Sequence, residues 1–160
     1  MAVWQFDILL VPDEVAASSP LIVGEESVDA SRWWQSRQPP PDLPQRLDSL
    51  LPRCRSWSDD IWQWGEEEGT CIQIFTTDGV VEEIHVRLDL RSPIGRYVDG
   101  VIDLAVHLRC RLCLMEGPVV IEADQQRLLQ QLQRSSACRF VRDPMGYLRS
   151  IASRADSSTD

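Results

Sequence analysis

The stretch TCIQIFTTDGVVEEIHVRLDL, residues 70–90, decides the fold because its residue pattern predicts a long β-hairpin. Apolar and polar residues alternate along its second half, as they do in a strand with one buried face. The first half adds Ile72 and Ile74 to the apolar side. The second half places Val80, Ile84, Val86, Leu88 and Leu90 on one face, and Glu83, His85, Arg87 and Asp89 on the other. One face of the hairpin is therefore expected to lie against a hydrophobic core.

The tip sequence TDG, residues 77–79, is compatible with two turn lengths. A two-residue turn would set the apolar residues of the first arm opposite charged residues of the second. A three-residue loop with a left-handed glycine would instead pair Ile72 with Ile84 and Ile74 with Glu82. We expect the three-residue loop, because it gives the more apolar face.

The chain is expected to be one α+β domain built around this hairpin. Its 160 residues suffice for one core, so we predict a single domain at residues 1–152 and a polar tail at residues 153–160. The sheet should have about four to five mainly antiparallel strands, with two main helices packed on one face. The predicted strands are residues 3–11, 71–76, 80–90 and 109–115, with a strand or irregular piece at 61–65, and the main helices are residues 94–108 and 123–134.

Shorter elements are predicted outside the sheet and the two main helices. We expect a loop at residues 14–24, short helices at 25–37, 42–51 and 144–151, and an extended piece at 138–141. The core is predicted to contain Phe6, Ile8, Ile72, Ile74, Ile84, Val86, Leu88, Val101, Leu104, Leu112 and Leu114.

Composition narrows the compartment and the class of partner. All 16 basic residues are arginine, and both Lys and Asn are absent, which indicates a GC-rich, bacterial genome. No apolar run approaches the roughly 20 residues of a membrane-spanning helix, and the N-terminus lacks the basic start of a signal peptide. We therefore expect a cytoplasmic protein, with its five cysteines reduced and mainly buried. The net charge of −9 disfavours nucleic acid and anionic membranes as partners and suits a basic protein, although solubility alone would also explain it.

Tryptophans and acidic residues alternate just before the hairpin. Exposed Trp is favoured at the energetically dominant positions of protein interfaces, whereas buried Trp dominates core packing, and the sequence leaves both interpretations open. The candidate binding residues are Trp57, Asp59, Asp60, Trp62, Trp64, Glu66, Glu67 and Glu68.

An alternative site lies on the polar face of the hairpin. It comprises Glu83, His85, Arg87 and Asp89, with Cys71 expected opposite His85 and Gln73 opposite Glu83. Such a row could supply a general base, an anion clamp and an orienting carboxylate. The simpler interpretation is a solvated sheet face with cross-strand ion pairs. The sequence contains no nucleophile elbow and no Gly-rich phosphate loop, so a non-enzymatic role is favoured.

The string His107-x-x-Cys110-x-x-Cys113 resembles part of a zinc motif. Zinc requires four converging ligands, and this string supplies at most three. On the predicted strand, Cys110 and Cys113 would point to opposite faces. We therefore predict neither a metal site nor a cofactor.

From Trp57 onward the chain contains, in order, WSDDIWQWG, a hairpin ending in VRLDL, a helix, an EG turn and a helix followed by SSACRFVRDP. This order of segments resembles a loose group of uncharacterised bacterial proteins. Some small acidic α+β proteins of this general kind are immunity proteins encoded beside toxins. The resemblance covers about the last two thirds of the chain and implies an interaction protein without assigning a role to any residue. We therefore expect a non-catalytic, immunity-like binding or inhibitory protein, with small-molecule binding or catalysis on the polar sheet face as the alternative.

Overall fold

The computed structural model describes residues 2–18, 33–117 and 119–157, which form an α+β fold. The described strands make one antiparallel sheet in the order β2-β3-β4-β5-β1-β6-β7. The strands are β1 (Gln5–Pro12), β2 (Arg53–Cys54), β3 (Ile61–Gly65), β4 (Cys71–Thr77), β5 (Val80–Asp89), β6 (Cys110–Leu114) and β7 (Val119–Ile121). The helices are α1 (Asp13–Ser18), α2 (Leu43–Leu50), α3 (Gly95–His107), α4 (Gln125–Arg134), α5 (Ser136–Arg142) and α6 (Pro144–Ser157).

The hairpin of β4 and β5 closes through a two-residue turn, so the predicted three-residue loop is wrong. Asp78 and Gly79 both have positive φ, 51° and 78°, as a tight hairpin turn requires. A register shift between Phe75 and Thr76 then moves the pairing by one residue. As a result, Ile72 lies opposite Val86 and Ile74 opposite Ile84. The predicted apolar face is nevertheless correct, because a shift of one residue in either direction from the unshifted two-residue turn puts apolar residues opposite each other. The observed shift is opposite in direction to the predicted one, so the register differs from the prediction by two residues.

Strand β1 lies in the interior of the sheet, between β5 and β6. It pairs with the second arm of the hairpin, since Ile8 lies opposite Val86. On its other side Ile8 lies opposite Leu114 of β6. The same alternation puts Asp7 on the opposite face, directly across from Arg87.

Helices α2, α3 and α4 cover the apolar face of the sheet. The indole Nε1 of Trp64, on β3, donates a hydrogen bond to Asp48 Oδ1 of α2 at 2.7 Å. Gly100 of α3 lies so close to Leu50 of α2 that a Cβ would clash there. Every residue of the predicted core is buried.

The second face of the sheet is also largely buried. Leu9 and Val11 of β1 and Cys113 of β6 are almost completely inaccessible on this side. The polar residues Asp7, Gln63 and Gln73 are buried as well. The expectation of a solvated face with cross-strand ion pairs is therefore met only in part. Glu83, His85 and Arg87 keep partial exposure and Arg87 pairs with Asp7 across the strands, whereas the polar residues of the neighbouring strands are buried.

The sheet has more strands, and the described chain more helices, than the sequence predicted. Strands β2 and β7 have two and three residues, too short to show a periodic pattern. The segment 14–24, predicted as a loop, contains part of the short helix α1, and the segment 138–141, predicted as extended, lies in the short helix α5. Helix α5 starts where the Ser135 side chain accepts a hydrogen bond from the Cys138 amide, which is N-cap geometry. Helix α6 extends to Ser157, beyond its predicted end, and most of the helix predicted at residues 25–37 falls outside the described residues.

Candidate functional site

A tight turn between β2 and β3 carries Trp57, Asp59 and Asp60, and we call these three residues the Trp57 turn. The Asp60 amide donates a hydrogen bond to Ser58 Oγ at 3.2 Å, which closes the turn locally. The Asp60 carbonyl accepts from the Thr76 amide at 2.8 Å and from Thr76 Oγ1 at 2.9 Å. These bonds attach the turn to β4 and fix where its side chains emerge.

The side chains of the Trp57 turn are directed to the surface. Trp57 has 74% of its surface exposed, and both Asp59 and Asp60 are exposed. Within the described part of the chain, neither carboxylate forms an ion pair. An exposed indole beside two uncompensated carboxylates can bury apolar area and attract a cation in the same contact.

The other predicted tryptophans do not join this surface. Trp64 is fully buried and hydrogen-bonded to Asp48, so its prediction as a binding residue is wrong. The period-2 alternation of β3 turns it into the core beside Ile72, its cross-strand partner. Trp62 lies on the same apolar face and is half-buried against the core.

The acidic run Glu66, Glu67 and Glu68 lies at the opposite end of β3 from the Trp57 turn. Strand β3 has five residues, which separates its ends by roughly 15 Å. The three side chains are exposed. The carbonyl of Glu67 accepts a hydrogen bond from Arg87, and that of Glu68 accepts one from Arg91. The two acidic groups of the sequence therefore form separate surfaces rather than a single one.

On the second face of the sheet, Asp7, His85 and Arg87 form a compact group that we call the Asp7 cluster. Asp7 Oδ1 accepts from Arg87 Nε at 2.9 Å and lies 3.1 Å from His85 Nε2. The Asp7 side chain is only 5% exposed, whereas those of His85 and Arg87 are 16% and 17% exposed. Asp7 was not predicted as a site residue. The signal was present in the alternation of β1, which pairs it with the polar side of the hairpin.

The carboxylates on either side of His85 have pKa values shifted in opposite directions. Burial would raise the pKa of Asp7, but hydrogen bonds from His85 and Arg87 outweigh it and hold the pKa below its usual range. Burial raises the pKa of Glu83, and the nearby His85 offsets this only in part. The protonation equilibrium of Asp7 is thus shifted towards the ionised form, whereas that of Glu83 is shifted towards the protonated form.

The cross-strand neighbours of the Asp7 cluster differ from those expected. Cys71 lies opposite Arg87 and Gln73 opposite His85, because the observed register is displaced from the predicted one. Gln73 Nε2 donates to Gln63 Oε1 at 2.9 Å, which continues the polar row to β3. Burial raises the pKa of the Cys71 thiol to about 11, so it stays protonated at neutral pH.

Asp89 does not belong to the Asp7 cluster, although it was predicted as part of the same row. Its Oδ2 pairs with Arg91 at 2.7 Å near the end of β5. It lines a hollow of about 250 Å³ together with Glu66 and Thr70. The predicted row of four residues is therefore divided along the strand.

The zinc-like string has the geometry that its strand placement predicted. Cys110 and Cys113 alternate across β6, and His107 is directed to Asp42, with His107 Nε2 3.4 Å from its Oδ1. Burial raises the pKa of Cys110 to about 12 and that of Cys113 to about 11, which disfavours thiolate ligands. Among the residues that the structure describes, no group of three or more His, Cys, Asp or Glu side chains is arranged to hold a metal ion.

None of the described helices is long and apolar enough to span a bilayer. The chain matches no family model, no curated protein and no solved structure.

Proposed function

We propose that this chain is a non-catalytic binding or inhibitory protein whose partner is another protein with a basic surface. The observation that carries the proposal is the Trp57 turn, in which a largely exposed indole stands beside two exposed carboxylates. Tryptophan is enriched among the few interface residues that dominate binding energy. The indole would supply buried contact area, and Asp59 and Asp60 would meet Arg or Lys of the partner.

The rigidity of the turn supports this role. The hydrogen bonds to Ser58 and Thr76 hold the turn before any partner arrives. Less conformational entropy is then lost on binding, so more of the contact energy remains as affinity. The net charge of −9 would speed encounter with a basic surface. An inhibitor of this kind acts by occupying the basic surface that the partner needs for its own ligand.

The test is binding to the product of the neighbouring gene, measured with purified proteins at low and high salt. Trp57→Ala should raise the dissociation rate by about 30-fold, as expected for a residue worth about 2 kcal/mol. Changing both Asp59 and Asp60 to Asn should lower the association rate and flatten its salt dependence.

A matched control removes charge from the other end of β3. Glu66, Glu67 and Glu68 changed together to Gln remove three negative charges, one more than the Asp59 and Asp60 variant. If the Trp57 turn is the contact, this triple variant should bind with nearly unchanged rates. Equal reductions of the association rate in both charge variants would show that only net charge matters. Unchanged rates in Trp57→Ala would contradict the proposal.

A second candidate function is small-molecule binding or catalysis at the Asp7 cluster and Glu83. The favouring observation is a single imidazole between two carboxylates whose pKa values are shifted in opposite directions. Such a divergence is typical of sites that assign separate acid and base roles. A thermal-shift screen of small carboxylates, amines and sugars tests it. A genuine ligand should raise the Tm of the wild type and not that of His85→Gln, whereas equal shifts would place the ligand elsewhere.

A further inference from the structure

The last turn of α3, the start of β6 and the segment after β7 surround a hollow of about 320 Å³, which we call the α3–β6 hollow. Its lining includes Asp13, Val106, Arg109, Cys110, Arg111 and Glu122. Val106 is 62% exposed there, although its side chain is apolar. Sites for small ligands usually have volumes from roughly 300 Å³ upwards, so the hollow is large enough for a small organic molecule.

Arg109 occupies a backbone position at which glycine is the usual residue. Helix α3 ends at His107 and is capped by Leu108, so Arg109 is the first residue beyond the cap. Its φ of 51° lies in the left-handed region, which a residue with a Cβ adopts at a cost in stability. Strained positions of this kind are concentrated at functional sites. The side chain of Arg109 is therefore a candidate for a function.

The Arg109 side chain has no described partner that would account for the strained backbone. The residue is exposed, and within the described chain its guanidinium forms neither an ion pair nor a hydrogen bond. Glu14 lies within electrostatic range of Arg109, but its carboxylate is bonded by Arg37 at 2.9 Å. The donors of the Arg109 guanidinium are therefore available to a ligand.

The backbone amide of Cys110 is a second available donor beside the hollow. The Met115 amide donates to the Asp7 carbonyl of β1, so the odd-numbered residues of β6 are bonded to β1. Cys110, at an even position, turns its backbone N–H to the other side of β6. Strand β7 covers that side only as far as Leu112, which lies opposite Ile121. Among the described strands, none is therefore placed to accept the Cys110 amide.

The charges around the hollow favour a ligand with a single negative charge. Arg111 pairs loosely with Asp13, with 3.6 Å between Nε and Oδ1, and Glu122 pairs with Arg127 at the same distance. The four side chains are all at least partly exposed. Arg109 and Arg111 would attract one carboxylate, whereas Asp13 and Glu122 would repel a second negative charge.

We propose that the α3–β6 hollow binds a small monocarboxylate with an apolar body. The Arg109 guanidinium forms a two-pronged contact with the carboxylate, a geometry for which its planar shape is suited. The Cys110 amide donates to the same carboxylate, and the apolar body covers Val106. The hollow shares no residue with the Trp57 turn or the Asp7 cluster, so this inference is independent of the proposed function.

The test uses the full chain with isocaproate and phenylacetate, one aliphatic and one aromatic monocarboxylate. Isothermal titration calorimetry should give a Kd on the order of 0.1 to 1 mM for at least one of them, as expected for a ligand of few atoms. The matching amide lacks the charge, and succinate carries a second one. Both should bind at least about tenfold more weakly, because the first loses the charge-assisted bonds and the second meets Asp13 and Glu122.

Arg109→Gly separates a binding role from a structural one. Glycine is unstrained at this φ, so the Tm of the unliganded variant should equal or exceed that of the wild type. Loss of the guanidinium should weaken carboxylate binding at least about tenfold. A lower Tm with unchanged affinity would show that Arg109 only offsets the negative end of the α3 dipole, and this result would overturn the proposal.

Two further variants control for charge and for folding. Arg109→Lys keeps the charge but lacks the planar fork, so it should bind several-fold more weakly than the wild type. Arg139→Gln removes one positive charge from an exposed residue of α5 and should keep the wild-type affinity. Circular dichroism checks that each variant is folded.

Three results would overturn the proposal. The first is that the wild type binds neither acid at concentrations up to about 10 mM. The second is an equal loss of affinity in Arg109→Gly and Arg139→Gln, because the effect would then reflect net charge alone. The third is loss of binding in His85→Gln but not in Arg109→Gly, which would place the ligand at the Asp7 cluster. None of these results bears on binding through the Trp57 turn.

Discussion

The Asp7 cluster and the Trp57 turn place aspartates in opposite environments. Asp7 is buried and contacts both His85 and Arg87, whereas Asp59 and Asp60 are exposed without an ion pair in the described chain. A buried charge is tolerated only with such partners, so Asp7 should matter for stability. An exposed charge contributes little to the free energy of unfolding, whether it is present or removed. Asp59 and Asp60 should therefore matter for recognition. The type of residue is the same, and the environment decides its role.

The largest effect is expected from Asp7→Asn. The substitution leaves Arg87 charged and partly buried without its carboxylate, and breaking such a pair typically costs about 3 to 5 kcal/mol of unfolding free energy. Urea denaturation followed by tryptophan fluorescence measures the loss. A loss below about 1 kcal/mol would mean that solvent compensates Arg87 and that the contrast with the Trp57 turn is overstated.

The pH dependence of the same variant sharpens the comparison. Because the pKa of Asp7 is lowered in the folded state, its contribution to stability is present above the unfolded value of about 3.9 and is lost as the pH falls through the folded value. The wild type should therefore lose stability on acidification more steeply than Asp7→Asn. If the curves of unfolding free energy against pH run parallel for the two proteins, acid unfolding is due to other carboxyl groups.

A smaller effect of opposite sign is expected from Glu83→Gln. The pKa of Glu83 is raised, so its favourable contribution is present below the unfolded value of about 4.3 and is lost as the pH rises through the folded value. At neutral pH the substitution should stabilise the protein by less than about 1 kcal/mol, and the gain should disappear in acid. Destabilisation at neutral pH would indicate that the ionised carboxylate has a favourable partner.

The smallest effect on folding is expected at the Trp57 turn. Changing Asp59 and Asp60 to Asn should alter the unfolding free energy by less than about 0.5 kcal/mol, because both side chains are exposed. The hydrogen bonds to Thr76 use the Asp60 carbonyl and survive the change. Thermal melts of this variant beside Asp7→Asn compare the two environments directly. A marked loss of stability would show that the turn is structural.

Much of the central sheet could be predicted from local pattern. The alternation of residues 80–90 identified the buried face of β5, and strong periodicity identified α3 and α4. Strands β2 and β7 were not predicted, because they contain too few residues for a period to appear. The hairpin register was also missed, because a bulge changes the pairing without leaving a clear mark in the sequence.

The candidate sites were harder to predict because burial is a property of the assembled sheet. The alternation of β3 shows that Trp62 and Trp64 share a face, yet it cannot say which face becomes the core. Packing against α2 buries Trp64. Trp57 stays outside because it precedes the strand and belongs to a turn.

The sequence by itself determined that the chain is acidic, which residues alternate in β5 and that α3 and α4 are helical. The last two properties depend only on neighbours a few positions apart. Only the tertiary structure decided that Asp7 meets Arg87, a contact between residues 80 positions apart in the chain. It also decided that Asp7, Gln63 and Gln73 on the polar face are buried and that the two acidic groups lie at opposite ends of β3. These outcomes depend on strand order and register, which arise when distant segments pack together and exclude water from both faces of β1.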